Sequence, residues 1–271
     1  MPSIDELSLG FRGKYLSHAE LSAQLQAWAE AFPEICHRRS LTTSEQGREV
    51  WLLTIGREPE RVRPAAWVDG NIHASELVGS NVCLAIAEDL LRAHQGELVA
   101  GLPEHLRELL TGDVLFYVLP RMCPDGAERV LAQHHFVRSN PRDHRIGNHG
   151  PYWRHEDVDG DGVARLMRVV DPTGDFVESR STPGLMLPRQ VDDEGPYYRV
   201  YPEGRIERFD GFTLPKPGFM SDTETDMNRN FPSSWKGDPD QIGSGPFAAS
   251  EPESRAVTEF AVRHPNIFVW L

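Results

Sequence analysis

AAWVDGNIHASELVGSNVCLAIAEDLL, residues 65–91, passes from a short apolar run through a polar turn into a long segment with apolar residues at helical spacing. Residues 65–68 predict a buried strand, and Leu77, Leu84, Ala87 and Leu91 predict the apolar face of a helix. The turn between them carries His73 and Glu76, three positions apart. In open α/β sheets, ligands lie in the crevice beyond the carboxyl ends of the strands, which is where this turn would stand. A neutral imidazole and a carboxylate are both good zinc ligands, and catalytic zinc usually takes three protein ligands and a water. His-x-x-Glu also arises by chance; Glu76 is then a first-turn residue favoured by the helix dipole, and His73 an ordinary loop residue.

Upstream, Ser17-His18-Ala19-Glu20 has capping-box spacing and leads into a helix through Leu21, Leu25, Trp28 and Phe32. Runs at 35–41 and 50–55 flank Ser44-Glu45-Gln46-Gly47 and predict a hairpin. Downstream, a short helix is expected over 102–110 and a buried-type strand over 114–119. Ser250-Glu251-Pro252-Glu253 has a second capping-box spacing, followed by a helix through Val257, Phe260 and Ala261 and a strand at 267–271. Alternating strands and helices predict an α/β fold: a mixed, mostly parallel central sheet with helices on both faces, in a single domain spanning 1–271. From about 139 to 218 the chain is rich in Pro, Gly, Asp and Arg, with only short apolar pieces. That length predicts an irregular insertion within the domain, kept ordered by Tyr152, Trp153, Tyr197, Tyr198 and Tyr201.

The 271 residues are 39% hydrophobic and suit a globular protein with a sizeable core. A formal net charge of −13 argues against nucleic-acid or anionic-membrane partners, which need clustered Lys and Arg. No apolar stretch reads as a membrane span, and the first residues lack the pattern of a signal peptide, so the expected location is cytoplasmic. Cys36, Cys83 and Cys123 form no spaced framework and are expected to be reduced and buried.

Two further stretches carry chemistry. Asp226-Met227-Asn228-Arg229-Asn230-Phe231-Pro232 sets an Arg between two Asn, a planar donor fork with amide donors suited to a carboxylate. Its bland alternative is a polar turn with an exposed Arg. Asp157, Asp159 and Asp161 alternate and are followed by Gly162, as in the opening of an EF-hand-type Ca2+ loop. Arg168 stands where the bidentate Glu belongs, so a full EF-hand is excluded. What remains is a partial calcium loop or an Asp/Gly turn paired with Arg154, Arg165 or Arg168.

Taken in order, His73-x-x-Glu76, Pro124-Asp125-Gly126, Asn228-Arg229-Asn230-Phe231-Pro232, Gly245-Pro246-Phe247 and Ser250-Glu251-Pro252-Glu253 resemble the zinc metallocarboxypeptidases of the carboxypeptidase A type. The resemblance covers most of the chain outside the insertion. It implies the zinc-peptidase (phosphorylase/hydrolase-like) fold and Zn2+-dependent hydrolysis of the last bond of a peptide with a free C-terminal carboxylate. It also implies that His73 and Glu76 are the first two zinc ligands and that Asn228 and Arg229 hold the terminal carboxylate. The family's oxyanion-stabilising Arg, a dozen positions after the motif glycine, falls on Arg138, with Arg142 the near alternative. Ser75 stands where animal members commonly have a substrate-contacting Arg, and Cys123 where the family usually has Asn.

The family's third ligand is a His just after the strand that follows the Ser-Glu-Pro-Glu helix, and here that strand is 267–271. The expected His, the general-base Glu, the substrate-covering Tyr and the specificity pocket would therefore lie beyond the chain end. Of the other histidines, His134, His135, His144, His149 and His155 show no ligand spacing. The expectation is a fragment that lacks the C-terminal part of the fold and has negligible peptidase activity. A catalytically silent peptide-binding protein, or a zinc deacylase acting on N-acyl amino acids, are the competing expectations.

Overall fold

The computed structural model describes residues 3–271 apart from 98, 135, 143, 145–149, 216–224 and 238–239. The chain forms two compact units. The first comprises Met1–Ala132, Val137–His144 and Thr223–Leu271. Its elements are α1 (His18–Ala31), β1 (Cys36–Thr43), β2 (Glu49–Ile55), β3 (Ala65–Asp69), α2 (Leu77–His94), α3 (Glu104–Gly112), β4 (Leu115–Leu119) and α4 (Pro124–Gln133). The second unit comprises Gln133–Phe136 and Arg145–Asp222 and carries β5 (Tyr152–His155), β6 (Leu166–Val170), β7 (Phe176–Glu178), β8 (Met186–Pro188), β9 (Tyr197–Pro202) and β10 (Gly204–Glu207). The chain then returns to the first unit with α5 (Pro252–Arg263) and β11 (Ile267–Trp270).

In the first unit the sheet order is β1-β2-β4-β3-β11. The hairpin β1–β2 and the pair β2–β4 are antiparallel, whereas β4, β3 and β11 run parallel. Every residue of β4 is buried, and its alternation divides the core. Phe116 and Val118 join Trp28, Leu53, Val68 and Leu84 on one face. Leu115, Tyr117 and Leu119 join Leu52, Trp67, Val257 and Phe260 on the other. Helices α1 and α2 therefore cover one face and α5 the other, each fully buried large side chain contributing roughly 1.5–3 kcal/mol.

Ser17 caps α1 in a complete capping box with Glu20. The expected box at residues 250–253 does not form. Pro252 takes the first helical position of α5, which moves the N-cap to Glu251 and leaves it without a side-chain cap hydrogen bond. Ser250 Oγ instead donates to Glu251 Oε1 at 2.9 Å. The Pro-Asp-Gly motif proves to be the first turn of α4, an element the periodicity does not announce. The three cysteines are free and buried, and burial pushes the Cys36 and Cys83 thiols up to about 12.

The second unit holds an antiparallel pair, β5–β10, and a four-stranded antiparallel sheet in the order β6-β9-β7-β8. Trp153 stacks on Tyr201, and Arg199 pairs with Asp171 at 2.7 Å. Among the described residues no helix is long and apolar enough to cross a membrane.

Candidate functional site

The turn after β3 is shaped by Asn71, which takes a positive φ of 59° and whose amide donates to His73 O and Ala74 O. Beneath it the turn after β4 is fastened by Met122 N to Gly70 O and Cys123 N to Asn71 O. Space between these turns and the residue 137–140 segment is tight. A Cβ on Gly126 would stand 2.4 Å from Ser139 O, 2.5 Å from Ala74 Cβ and 2.8 Å from Cys123 Sγ. Glycine at this position lets the start of α4 lie directly under the His73 turn.

The turn brings His73 and Glu76 together as the spacing predicts. His73 is buried, and its Nδ1 faces Glu76 Oε1 at 3.0 Å. Glu76 is the N-cap of α2 but makes no capping hydrogen bond, so its carboxylate is turned to the histidine, with the side chain 56% exposed. On the other edge of the ring, Nε2 stands 3.4 Å from Asp226 Oδ1 without making a hydrogen bond. An imidazole nitrogen beside a half-exposed carboxylate, on a ring whose far nitrogen faces a second, buried carboxylate, is a donor arrangement that fits a zinc ion. The atoms that would hold it are His73 Nδ1 and Glu76 Oε1. Among the described residues no third His, Cys, Asp or Glu brings a ligand atom within 4.8 Å of both.

Asp226, to which the sequence reasoning gave no role, is central to the site. It is 4% exposed and caps a short 3-10 turn, Met227–Arg229, through Asn228 N to Oδ1 at 2.9 Å. Its other oxygen, Oδ2, accepts from Arg138 Nε at 3.1 Å. The only advance signal was a capping-type Asp at the head of the polar turn. Arg138 thus lies one carboxylate away from His73, whereas Arg142 is drawn off to Glu45 at 2.7 Å.

Asn228 and Arg229 are both exposed on the 3-10 turn. Arg229 gives one N–H to Asn228 O and makes no ion pair among the described residues, which leaves most of its donor fork available. Asn230 differs from its expected part as a second amide donor. It is fully buried, and its Nδ2 is consumed by Ser244 O, Phe247 O and Ser250 Oγ while its Oδ1 accepts from Glu251 N. It fastens the turn to the start of α5.

Segment 137–140 links these pieces. Ser75 N donates to Val137 O, and Ser75 Oγ both donates to Val137 O and accepts from Val137 N. Ala74 N donates to Arg138 O. Ser139 is fully buried; its hydroxyl donates to Ile72 O at 3.2 Å and accepts from Met227 N at 3.0 Å. Asn140 bridges to Thr225 and donates to Glu251 and Glu253, while His144 contacts Glu251. His135 and His149 lie outside the described residues.

The calcium expectation is revised by the second unit. Asp161 leaves the trio and pairs with Arg165, and Glu203 takes its place beside Asp157 and Asp159. Glu203 accepts from Val158 N, Asp159 N and Arg165 N, which lowers its pKa. Asp157 accepts from Gly160 N and Gly162 N, so these carboxylates already serve the backbone of their own loop.

The first unit is thus an α/β protein with a central mixed sheet, helices on both faces and a His–Glu pair at the end of a parallel strand. The zinc carboxypeptidase family matches residues 21–171, more than half of the chain, and the chain belongs to that family. The match includes His73, Glu76 and Arg138 but not the Asp226–Arg229 turn. Among curated relatives, carboxypeptidase M of Mus musculus is 29% identical over 126 residues, covering 45% of this chain and 26% of that protein. Carboxypeptidase B of Rattus norvegicus is 27% identical over 113 residues, 42% of this chain and 25% of that protein. The fold is similar to bovine thrombin-activatable fibrinolysis inhibitor solved in complex with tick carboxypeptidase inhibitor, with a TM-score of 0.54, 17% identity, and coverage of 95% of this chain and 59% of that one. It is likewise similar to carboxypeptidase A from Helicoverpa armigera, with a TM-score of 0.52, 18% identity, and coverage of 97% and 46%. The matched segments thus span about a quarter of the curated relatives, and the chain covers well under two thirds of these structures.

Proposed function

We propose that this chain carries the ligand pair and the carboxylate-binding turn of a zinc-dependent carboxypeptidase centre acting on peptides with a free C-terminal carboxylate. His73 and Glu76 would hold the Zn2+; Asn228 and Arg229 would fix the terminal carboxylate; Arg138 would steady the oxyanion. Bound zinc polarises a carbonyl and lowers the pKa of a coordinated water. The rest falls to the chain's own groups. The exposed Arg229 fork and Asn228 amide suit bidentate recognition of a carboxylate, which confines attack to the last bond. Arg138, already tied to a buried carboxylate, needs little reorganisation to face a developing negative charge.

The observation that carries this reading is Asp226, one buried carboxylate placed against both His73 of the ligand pair and Arg138. Catalytic zinc takes three protein ligands, and the described residues supply two beside each other. Negligible peptide hydrolysis is the expectation for a site with these two ligands alone.

Calorimetric titration with Zn2+, and then with a short peptide ending in a free carboxylate or in its amide, tests the proposal. Zinc binding should fall in His73→Ala, and preference for the carboxylate over the amide should vanish in Arg229→Ala. Zinc affinity unchanged by His73→Ala would sink the metal assignment. Robust zinc-dependent release of C-terminal residues would overturn the expectation of negligible turnover, and cleavage of N-acyl amino acids in place of peptides would turn the reading to a deacylase.

A further inference from the structure

The ligand turn and the carboxylate-binding turn lie far apart in sequence, and among the described residues few polar contacts join them. One is the His73–Asp226 approach itself. Another is the hydroxyl of Ser139, which touches both turns at once by donating to Ile72 O, the residue before His73, and accepting from Met227 N, the residue after Asp226. Its side chain has no solvent exposure, so neither bond can be exchanged for water. Its own backbone is held as well, with the carbonyl packed over Gly126 and both neighbours, Arg138 and Asn140, bonded to adjoining strands of chain.

We propose that Ser139 is a positioning residue for the metal pair: its hydroxyl fixes the separation of the His73 turn from the Asp226 turn, and so the orientation of the His73 ring. The inference rests on the zinc reading of His73 and Glu76 and adds to it a residue that touches neither metal nor substrate. Without the hydroxyl, Ile72 O and Met227 N each lose a buried partner, and the two turns can part. Groups that orient a metal-bound histidine typically change metal affinity by about 10–100-fold when lost. Ser139→Ala should lose about tenfold in zinc affinity by that measure.

The test is a chelator-competition measurement of zinc affinity for the wild-type chain, Ser139→Ala, Ser139→Cys and Ser80→Ala, with thermal midpoints recorded in parallel. Ser80 is an equally buried serine whose hydroxyl accepts from Arg121 Nε and bridges no two turns. Ser139→Ala should lose affinity, Ser139→Cys should recover part of it through a weak S–H donor, and Ser80→Ala should lose stability without losing affinity. Wild-type zinc affinity in Ser139→Ala overturns the proposal, as does an equal loss in Ser80→Ala.

A metal-free arm separates this inference from the zinc reading. Amide exchange should accelerate in Ser139→Ala at Met227 and, in the same step, at Ala74 and Ser75 of the ligand turn. A wild-type chain that binds no zinc would defeat the proposed function, while this joint response would still uphold Ser139 as the tie between the turns. Acceleration at Met227 alone would overturn it.

Discussion

Glu253→Gln should make the protein more stable in neutral and alkaline solution. Glu253 lies in the first turn of α5 and is 1% exposed; its one side-chain partner among the described residues is the Asn140 amide, at 3.2 Å. Burial first, and then the Glu251 and Asp125 carboxylates, push it from an ordinary 4.5 up to about 8 against the opposing pull of Arg142. The unfolded chain releases this proton near 4.5 while the folded one keeps it until about 8, so the unfolded state binds fewer protons throughout that window. Stability therefore falls as pH rises from 4.5 to 8 and levels off above it. At about 1.4 kcal/mol per unit the full window is worth roughly 3–5 kcal/mol. Glutamine keeps the shape and cannot ionise. At pH 8 to 9 the variant should exceed wild type by most of that amount, about 5–15 °C in melting temperature for a chain of this size. Below pH 4.5 the two should nearly coincide. Thermal and urea melts of both proteins from pH 4 to 9 read this directly. Parallel curves across the range, or a Glu253 carboxyl carbon that titrates near 4.5 by NMR, would refute the reasoning.

Gly126→Ala should destabilise the first unit by about 1–3 kcal/mol, because the new methyl would meet the Ser139 carbonyl, Ala74 and Cys123 well inside contact distance. An unchanged denaturant midpoint would show that segment 137–140 can move away freely. His94, at the end of α2, has both ring nitrogens buried without partners, and burial together with Arg57 and Arg63 pushes it down to about 4. The unfolded state takes up a proton near 6.5 that the folded state refuses until about 4, so stability should decline as pH falls through that window. His94→Leu should flatten the decline, and a wild-type urea midpoint already independent of pH between 7 and 4 would count against it.

Much of the first unit is readable from the sequence because its signals are local. The apolar run of β3, the helical spacing of α2 and the Ser17–Glu20 box each declare themselves within a few residues. The His73–Glu76 pair is legible for the same reason, since three positions across a strand-to-helix turn suffice to bring the two side chains to 3.0 Å. What escapes depends on contacts between distant residues. Asp226 gains its place from where the sheet carries it, beside His73 and Arg138, and Ser139 from lying between two turns that approach only in the folded chain. Asn230 looked like a ligand-binding amide, yet burial gives its hydrogen bonds to the scaffold. The alternating Asp157, Asp159 and Asp161 implied one cluster, but Arg165 four residues on takes Asp161 away and Glu203 arrives from across a strand. At α5 a single proline shifted the helix start by one residue and dissolved a capping box that spacing alone supports.

The arrangement around His73 also carries an internal logic. Carboxylates stand at both edges of its ring, Glu76 at Nδ1 and Asp226 at Nε2, and a neutral imidazole has one proton for the two. A proton on Nδ1 satisfies Glu76 and leaves Nε2 facing Asp226 lone pair to lone pair. A proton on Nε2 satisfies Asp226 and exposes the Nδ1 lone pair to Glu76. Each neutral tautomer leaves one repulsive edge, which either a second ring proton or a bound cation at Nδ1 would relieve. Under the proposed assignment, His73 Nδ1 and Glu76 would hold a divalent ion, which would relieve that repulsion and leave the ring proton on Nε2, facing Asp226. Asp226 is itself held by Arg138 and by the Asn228 amide, so it cannot swing away to escape the conflict. His73, Glu76, Asp226 and Arg138, with the Asn228 backbone N–H, therefore form one connected set around the proposed ligand pair.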